Sequence, residues 1–127
     1  MATSPTQRTI RYLKDSGGIP GIVERFNAHI GPFGIRQDLF GFIDIVNIDP
    51  EEGIQAIQSC GQGFSTHIKK MTEERNEAMY EWLKHATVQL IGWRKVKLKR
   101  GGKATRWKPR IAIFWLDGED IKWKEMK

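Results

Sequence analysis

Apolar residues recur at helical spacing across residues 19–30, where Ile22, Val23, Phe26 and Ile30 share one face and Pro20 suits a first turn. The pattern predicts a helix there, ended by Gly31-Pro32. Residues 39–48 are almost wholly apolar and rich in β-branched side chains, which predicts a strand buried on both faces. An Asp-Pro-Glu-Glu-Gly turn leads into a second such run, residues 54–60, so the two predict a central hairpin. Gly61 and Gly63 break the strand, and the period changes. Phe64, Ile68 and Met71 recur as on one helix face; Thr72 with Glu73 and Glu74 looks like a fresh N-cap; Met79, Trp82, Leu83 and Ala86 mark the buried side of a further helix.

Beyond Gly92 residues 88–99 alternate, with Val96 and Leu98 on one side and Lys95, Lys97 and Lys99 on the other. Arg100-Gly101-Gly102-Lys103 supplies a hairpin turn, because glycine tolerates positive φ. The return strand sets Ile111, Ile113 and Trp115 against Arg106, Lys108 and Arg110, and Pro109 points to an edge or an irregular start. Asp117-Gly118 turns the chain into a last short segment, 121–124. The predicted class is α/β, a mixed central β-sheet flanked by helices in the order α-β-β-α-α-β-β. With 127 residues there is core for one domain, and the Ser/Thr/Pro-containing start up to Thr9 reads as a flexible tail.

Composition narrows the function classes. Hydrophobic residues make up 39% and charged residues 28%, and no apolar run approaches the ~18 residues that span a bilayer. We expect a cytoplasmic protein with no membrane partner, since the start has neither a signal-peptide nor a transit-peptide pattern. Cys60 is the only cysteine, and His29, His67 and His85 show no ligand spacing, so a Cys/His zinc site is not expected. A hard cation held by carboxylates is compatible with the sequence. The net charge of +6 favours a polyanionic partner, and its distribution says more. No Asp or Glu occurs in residues 82–116, whereas Asp38, Asp44, Asp49, Glu51 and Glu52 crowd together earlier.

A carboxylate inside an apolar strand is costly to bury unless it is paired or binds a metal, which singles out Asp44 within Phe42-Ile43-Asp44-Ile45-Val46. The plain alternative is a strand-end Asp that caps a turn or pairs with Arg36. Gln58 lies fourteen positions on in the second strand, where a hairpin brings it beside Asp44. Its amide oxygen can ligate a hard cation, or the side chain satisfies neighbouring backbone groups.

The runs Arg36-Gln37-Asp38-Leu39-Phe40-Gly41-Phe42-Ile43-Asp44-Ile45 and Ile54-Gln55-Ala56-Ile57-Gln58-Ser59-Cys60-Gly61-Gln62-Gly63 resemble the core of small phage proteins related to Holliday-junction resolvases and homing endonucleases of the PD-(D/E)xK nuclease superfamily. The resemblance implies a restriction-endonuclease-like core and a Mg²⁺- or Mn²⁺-dependent endonuclease acting on DNA. It matches Asp44 to the metal-binding Asp of the first core strand, Gln58 to the Asp/Glu of the second, Cys60 to the Lys two positions on, and Glu24 to an extra helical acid. Asp38 is a further candidate ligand, or a turn residue paired with Arg36. Gln58 and Cys60 depart from the family pattern. Lys69 or Lys70, on the following helix, is placed to supply the missing cation, and otherwise both belong to a solvated face. The alternative implied by the two departures is a catalytically degenerate member that binds nucleic acid without cutting it.

Arg94, Lys95, Lys97, Lys99, Arg100, Lys103, Arg106, Lys108 and Arg110 lie together on the predicted hairpin, with Trp93 and Trp107 among them. This combination suits a nucleic-acid backbone with stacking on an exposed base. Alternatively the tryptophans are core and the lysines protect a sheet edge. Cys60 reads as a small core residue rather than a nucleophile. The partner expected is nucleic acid, DNA before RNA, and because cutting two strands calls for two sites a homodimer is compatible with that reading.

Overall fold

The computed structural model describes residues 3–74 and 76–126. The chain begins with a helix, α1 (Pro5–Asp15), where a tail was expected. Ser4 caps it: its side chain accepts from the Gln7 N–H, Gln7 returns the bond to the Ser4 N–H, and Pro5 occupies the first turn, where no donor is needed. Residues 1 and 2 of the expected tail lie outside the described residues.

Residues 19–30 are not a helix. They form β1 (Ile19–Ile22) and β2 (Arg25–Asn27), the latter paired with β3 (Ile35–Gln37) in a small separate hairpin. The helical spacing of Ile22, Phe26 and Ile30 buries nothing, for all three side chains are exposed. Strand pairing offers the Pro20-Gly21 segment, poor in a helix interior, a neighbour on one side only, which suits an edge. The strand predicted for residues 39–48 is also shorter than expected. Leu39 and Ile43 close a tight turn through reciprocal backbone bonds, with Phe40 and Gly41 at positive φ, and β4 (Ile45–Asp49) starts only after Asp44. Strand β5 (Gly53–Cys60) completes the expected central hairpin with β4.

Helices α2 (Phe64–Glu73) and α3 (Glu77–Leu83) follow. Thr72 is not the cap between them; it lies within α2 and its hydroxyl donates to the Ile68 carbonyl, while Asn76 caps α3 by accepting from the Met79 N–H. The chain then returns as β6 (Thr87–Lys97), β7 (Thr105–Asp117) and β8 (Asp120–Glu125). The result is a mixed α/β protein with a six-stranded sheet ordered β1-β4-β5-β6-β7-β8. Among the described strands only β5 and β6 run parallel, as the long α2–α3 crossover requires. Pro109 is tolerated because, among the described residues, no strand pairs with β7 on its β8 side at Pro109.

Both sheet faces are covered. On one, α1 packs Leu13 against Ile45, Ile57, Ile91 and Trp93; on the other, α2 and α3 pack Phe64, Ile68, Met71 and Met79 against Ala56, Cys60, Val88, Leu90, Ala112 and Phe114. No helix among the described residues is long and apolar enough to cross a membrane.

Candidate functional site

Asp44 is 4% exposed at the bend that leads into β4, on the sheet face covered by α2 and α3. The β4–β5 pairing holds it there: the Asp44 N–H donates to the Ile57 carbonyl at 3.0 Å, so its side chain meets the next residues of β5. Its Oδ2 accepts from the Ser59 N–H at 2.9 Å, from Gln58 Nε2 at 3.1 Å and from the Ser59 hydroxyl at 3.4 Å. Gln58 Nε2 also donates to Asp38 Oδ2 at 3.3 Å.

Asp38 comes just after β3, and Glu24 lies in the link between β1 and β2 rather than on a helix. Loops from three parts of the chain thus bring one oxygen each of Glu24, Asp38 and Asp44 within 4.8 Å of one another. Burial, above all, raises the Asp44 carboxyl to about 8; a hydrogen bond with Asp38 and the nearby charges of Asp38 and Glu24 push the same way, and only the Ser59 N–H opposes them. A carboxyl that is this reluctant to ionise, facing two others, fits a divalent hard cation: its charge would offset the repulsion, and the donors are all oxygens. Arg36, considered as a partner of Asp44 and Asp38, has a side chain outside the described residues.

Of the other expected site residues, Gln58 joins the cluster as a donor to two carboxylates. The two lysines separate. Lys70 lines a cavity of about 430 Å³ with Asp38 and Gln58, whereas Lys69 borders a different depression beside Arg110 and Trp123. Both project from the exposed side of α2. Cys60 is buried, and burial first, then the Asp44 charge, pushes its thiol up to about 11, so it is a neutral core residue. Two contributors are not among the expected site residues, although His67 is one of the histidines set aside as metal ligands for want of spacing. Ser59 supplies the backbone donor that holds Asp44, and His67 lines the same cavity as Lys70; neither stands in a pattern that marks it.

The basic hairpin forms as expected, and register sorts its charges. Gly92 pairs with both Cys60 and Arg110, Arg94 with Lys108, and Val96 with Arg106. Residues directly opposite share a face, so Arg94, Arg106, Lys108 and Arg110 continue the face that carries Gln58 and Cys60. Lys95 and Lys97 point to the other face, opposite Trp107 and Thr105, and Lys99, Arg100 and Lys103 gather around the turn. Arg110 is held by Glu125 through two bonds of 2.9 and 3.2 Å and lies over the Phe64 ring.

The tryptophans divide as well. Trp93 is core, its ring N–H donating to the Thr9 hydroxyl at 2.9 Å, so it is not available for stacking. Trp107 is 41% exposed, with the Arg8 guanidinium 3.7 Å from its ring centre. Comparison of the chain with protein-family models, curated proteins and solved structures gives no match.

Proposed function

We propose that the chain is a divalent-metal-dependent endonuclease acting on DNA, with Glu24, Asp38 and Asp44 as the ligands of Mg²⁺ or Mn²⁺. The observation that carries this reading is the convergence of three carboxylates on a buried Asp44, at the head of a sheet face that continues as a basic row. The topology agrees with a restriction-endonuclease-like core: β1, β4 and β5 form an antiparallel meander, and the helical crossover leads to a parallel β6. Asp44 and the Gln58-Ser59-Cys60 segment lie side by side, which supports the same reading.

A divalent ion bound there supplies a water of lowered pKa and neutralises charge on the attacked phosphate. The chain's own residues do the rest. Gln58 bridges Asp44 and Asp38 and fixes the carboxylates relative to each other. Ser59 locks Asp44 through its backbone N–H. Lys70, which lines one cavity with Asp38 and Gln58, answers for the cation that Cys60 cannot provide. Arg94, Arg106, Lys108 and Arg110 hold the phosphate backbone as point charges and forks. A homodimer would set two such sites on the two strands of a duplex.

The test is cleavage of supercoiled, linear and branched DNA in Mg²⁺ or Mn²⁺ by the wild type and by Asp44→Ala. Cutting by the wild type that is lost in Asp44→Ala supports the reading, and a folded sample that cuts no form of DNA sinks it.

One observation favours a second reading, a protein that binds DNA without cutting it: the position that would carry the catalytic lysine holds a buried, neutral Cys60 thiol. Salt-sensitive binding with no cleavage, at any divalent-ion concentration, would decide for it.

A further inference from the structure

Strand β5 stops where the basic hairpin continues. Cys60 pairs with Gly92, and from Trp93 onward β6 has β7 as its only neighbour among the described residues. The step left beside it is a concavity of about 640 Å³, within the roughly 300–1,000 Å³ of small-ligand clefts. It shares no lining residue with the cavity beside Asp38 and Gln58. Gly61 and the Phe64 ring form its inner wall, Arg94 and Arg110 stand on one side, and Arg8 and Trp107 on the other. No described carboxylate lines it.

Edge protection accounts for lysines along a hairpin, but it does not account for this basin or for Trp107. Trp107, 41% exposed, lines the basin together with four cationic side chains, Arg8, Arg94, Lys95 and Arg110, and belongs to neither core cluster, whereas Trp93 is part of one. One flank of the ring carries the Arg8 guanidinium, and the Lys95 ammonium is 5.3 Å from its centre. Arg8 is half-buried, its guanidinium covering the ring while it donates to the Thr3 carbonyl, and a nucleobase stacks on an indole with more contact area than a guanidinium does. In a continuous duplex both faces of each base are already occupied, so a stacking platform of this kind selects bases without neighbours.

We propose that this concavity takes one unpaired nucleotide of a DNA strand, its base on Trp107 and its phosphate against Arg94 and Arg110, so that single-stranded or gapped DNA is preferred over continuous duplex. The inference rests on the reading of DNA as partner but not on cleavage. Arg8 swings off the ring to admit the base, and Arg110 keeps its orientation through Glu125 while offering its remaining N–H groups.

Fluorescence anisotropy with the full chain in EDTA separates this from the nuclease reading, because nothing is cut. The probes are one labelled sequence as single strand, as duplex, and as duplex with a one-nucleotide gap. The wild type should bind the single strand and the gapped form on the order of ten-fold more tightly than the duplex, as one stacked base allows. Trp107→Ala should lose that preference with duplex binding little changed, and Trp107→Phe should keep most of it. Equal binding of gapped and continuous duplex by the wild type, or an unaltered preference in Trp107→Ala, overturns the inference. If the preference is present and no DNA is cut in Mg²⁺, the inference stands and the nuclease reading falls; cutting without the preference has the opposite result. No binding to any probe removes the inference, and cleavage in Mg²⁺ then decides the nuclease reading by itself.

Discussion

Gln58 donates its amide Nε2 to Asp44 Oδ2 at 3.1 Å and so spends its donor on a group that would otherwise repel its neighbours. With Asp38 Oδ2 at 3.3 Å from the same nitrogen, the amide is a neutral bridge across two acids. It lowers the cost of gathering carboxylates where no cation is bound, and it also lowers the charge offered to a cation. Gln58→Glu should therefore reverse both effects. Without divalent ions the variant gains a like charge beside Asp44 and Asp38 and melts lower than wild type; with Mg²⁺ or Mn²⁺ the added carboxylate tightens ion binding, and the melting temperature recovers beyond the wild-type shift. Thermal melts with and without divalent ions check this. A variant that melts lower by the same amount in both conditions would mean Gln58 is only a structural bridge.

The raised pKa of Asp44 makes a pH prediction with a definite sign. An unfolded Asp loses its proton near 3.8, the folded one near 8. Between those values the folded protein binds more protons than the unfolded chain, so metal-free stability falls as pH rises from about 4 towards 8 and levels off above. Asp44→Asn keeps the acceptor for the Ser59 N–H and removes the charge, so it should flatten the decline and be more stable than wild type at pH 8. Urea unfolding across this pH range, in EDTA, measures it. A wild-type curve that is flat or rises over the window would show that Asp44 ionises normally.

The β-hairpins were the legible part of the chain. The β4–β5 and β6–β7 pairs follow from apolar runs and from turn residues, and the Gly101-Gly102 turn falls between β6 and β7 as expected. The N-terminal third was not legible, for physical reasons that differ by segment. Ser4, Pro5 and Gln7 spell a helix start, but the segment's polarity hid a helix that buries only Thr9 and Leu13. Residues 19–30 have helical periodicity by coincidence, and cross-strand pairing, of 19–22 with β4 and of 25–27 with β3, overrides it. Asp44 was legible because a charge in an apolar run is costly. The company it keeps was legible only in part, since Glu24 and Asp38 reach it through loops whose paths depend on tertiary packing.

Gly92 has a role that no sequence period reveals. A Cβ added there would stand 2.7 Å from Phe64 Cδ2 and 3.2 Å from Cys60 Sγ, inside the core where β5, β6 and α2 meet. Neither neighbour has room to retreat, because both are buried. Gly92→Ala should lower stability by about 2 kcal/mol through overpacking, read as a shift in the urea midpoint with the slope unchanged. Because Phe64 also lines the basin beside Trp107, the same variant should weaken single-strand binding. A midpoint equal to wild type would mean that α2 can shift to accept the methyl.

Trp93 and Thr9 lie 84 positions apart in the chain, yet the indole N–H donates to the threonine hydroxyl at 2.9 Å within a buried contact. The hydroxyl in turn donates to the Pro5 carbonyl at 2.9 Å, so one chain of bonds ties the strand to the first turn of α1. Thr9→Val keeps the shape of the side chain and removes both bonds, leaving the Trp93 N–H buried without its acceptor. The cost should be about 1–3 kcal/mol, the penalty for an unsatisfied buried donor. Trp93→Phe with Thr9→Val removes donor and acceptor together. The double variant should lose less than the sum of the two single changes, so a double-mutant cycle by urea unfolding isolates the bond. Additive losses would show that this bond adds nothing to the hold of α1, which then rests on the packing of Leu13, Ile10 and Tyr12, the Thr6–Ser59 hydroxyl contact and the Arg8 contact with Trp107.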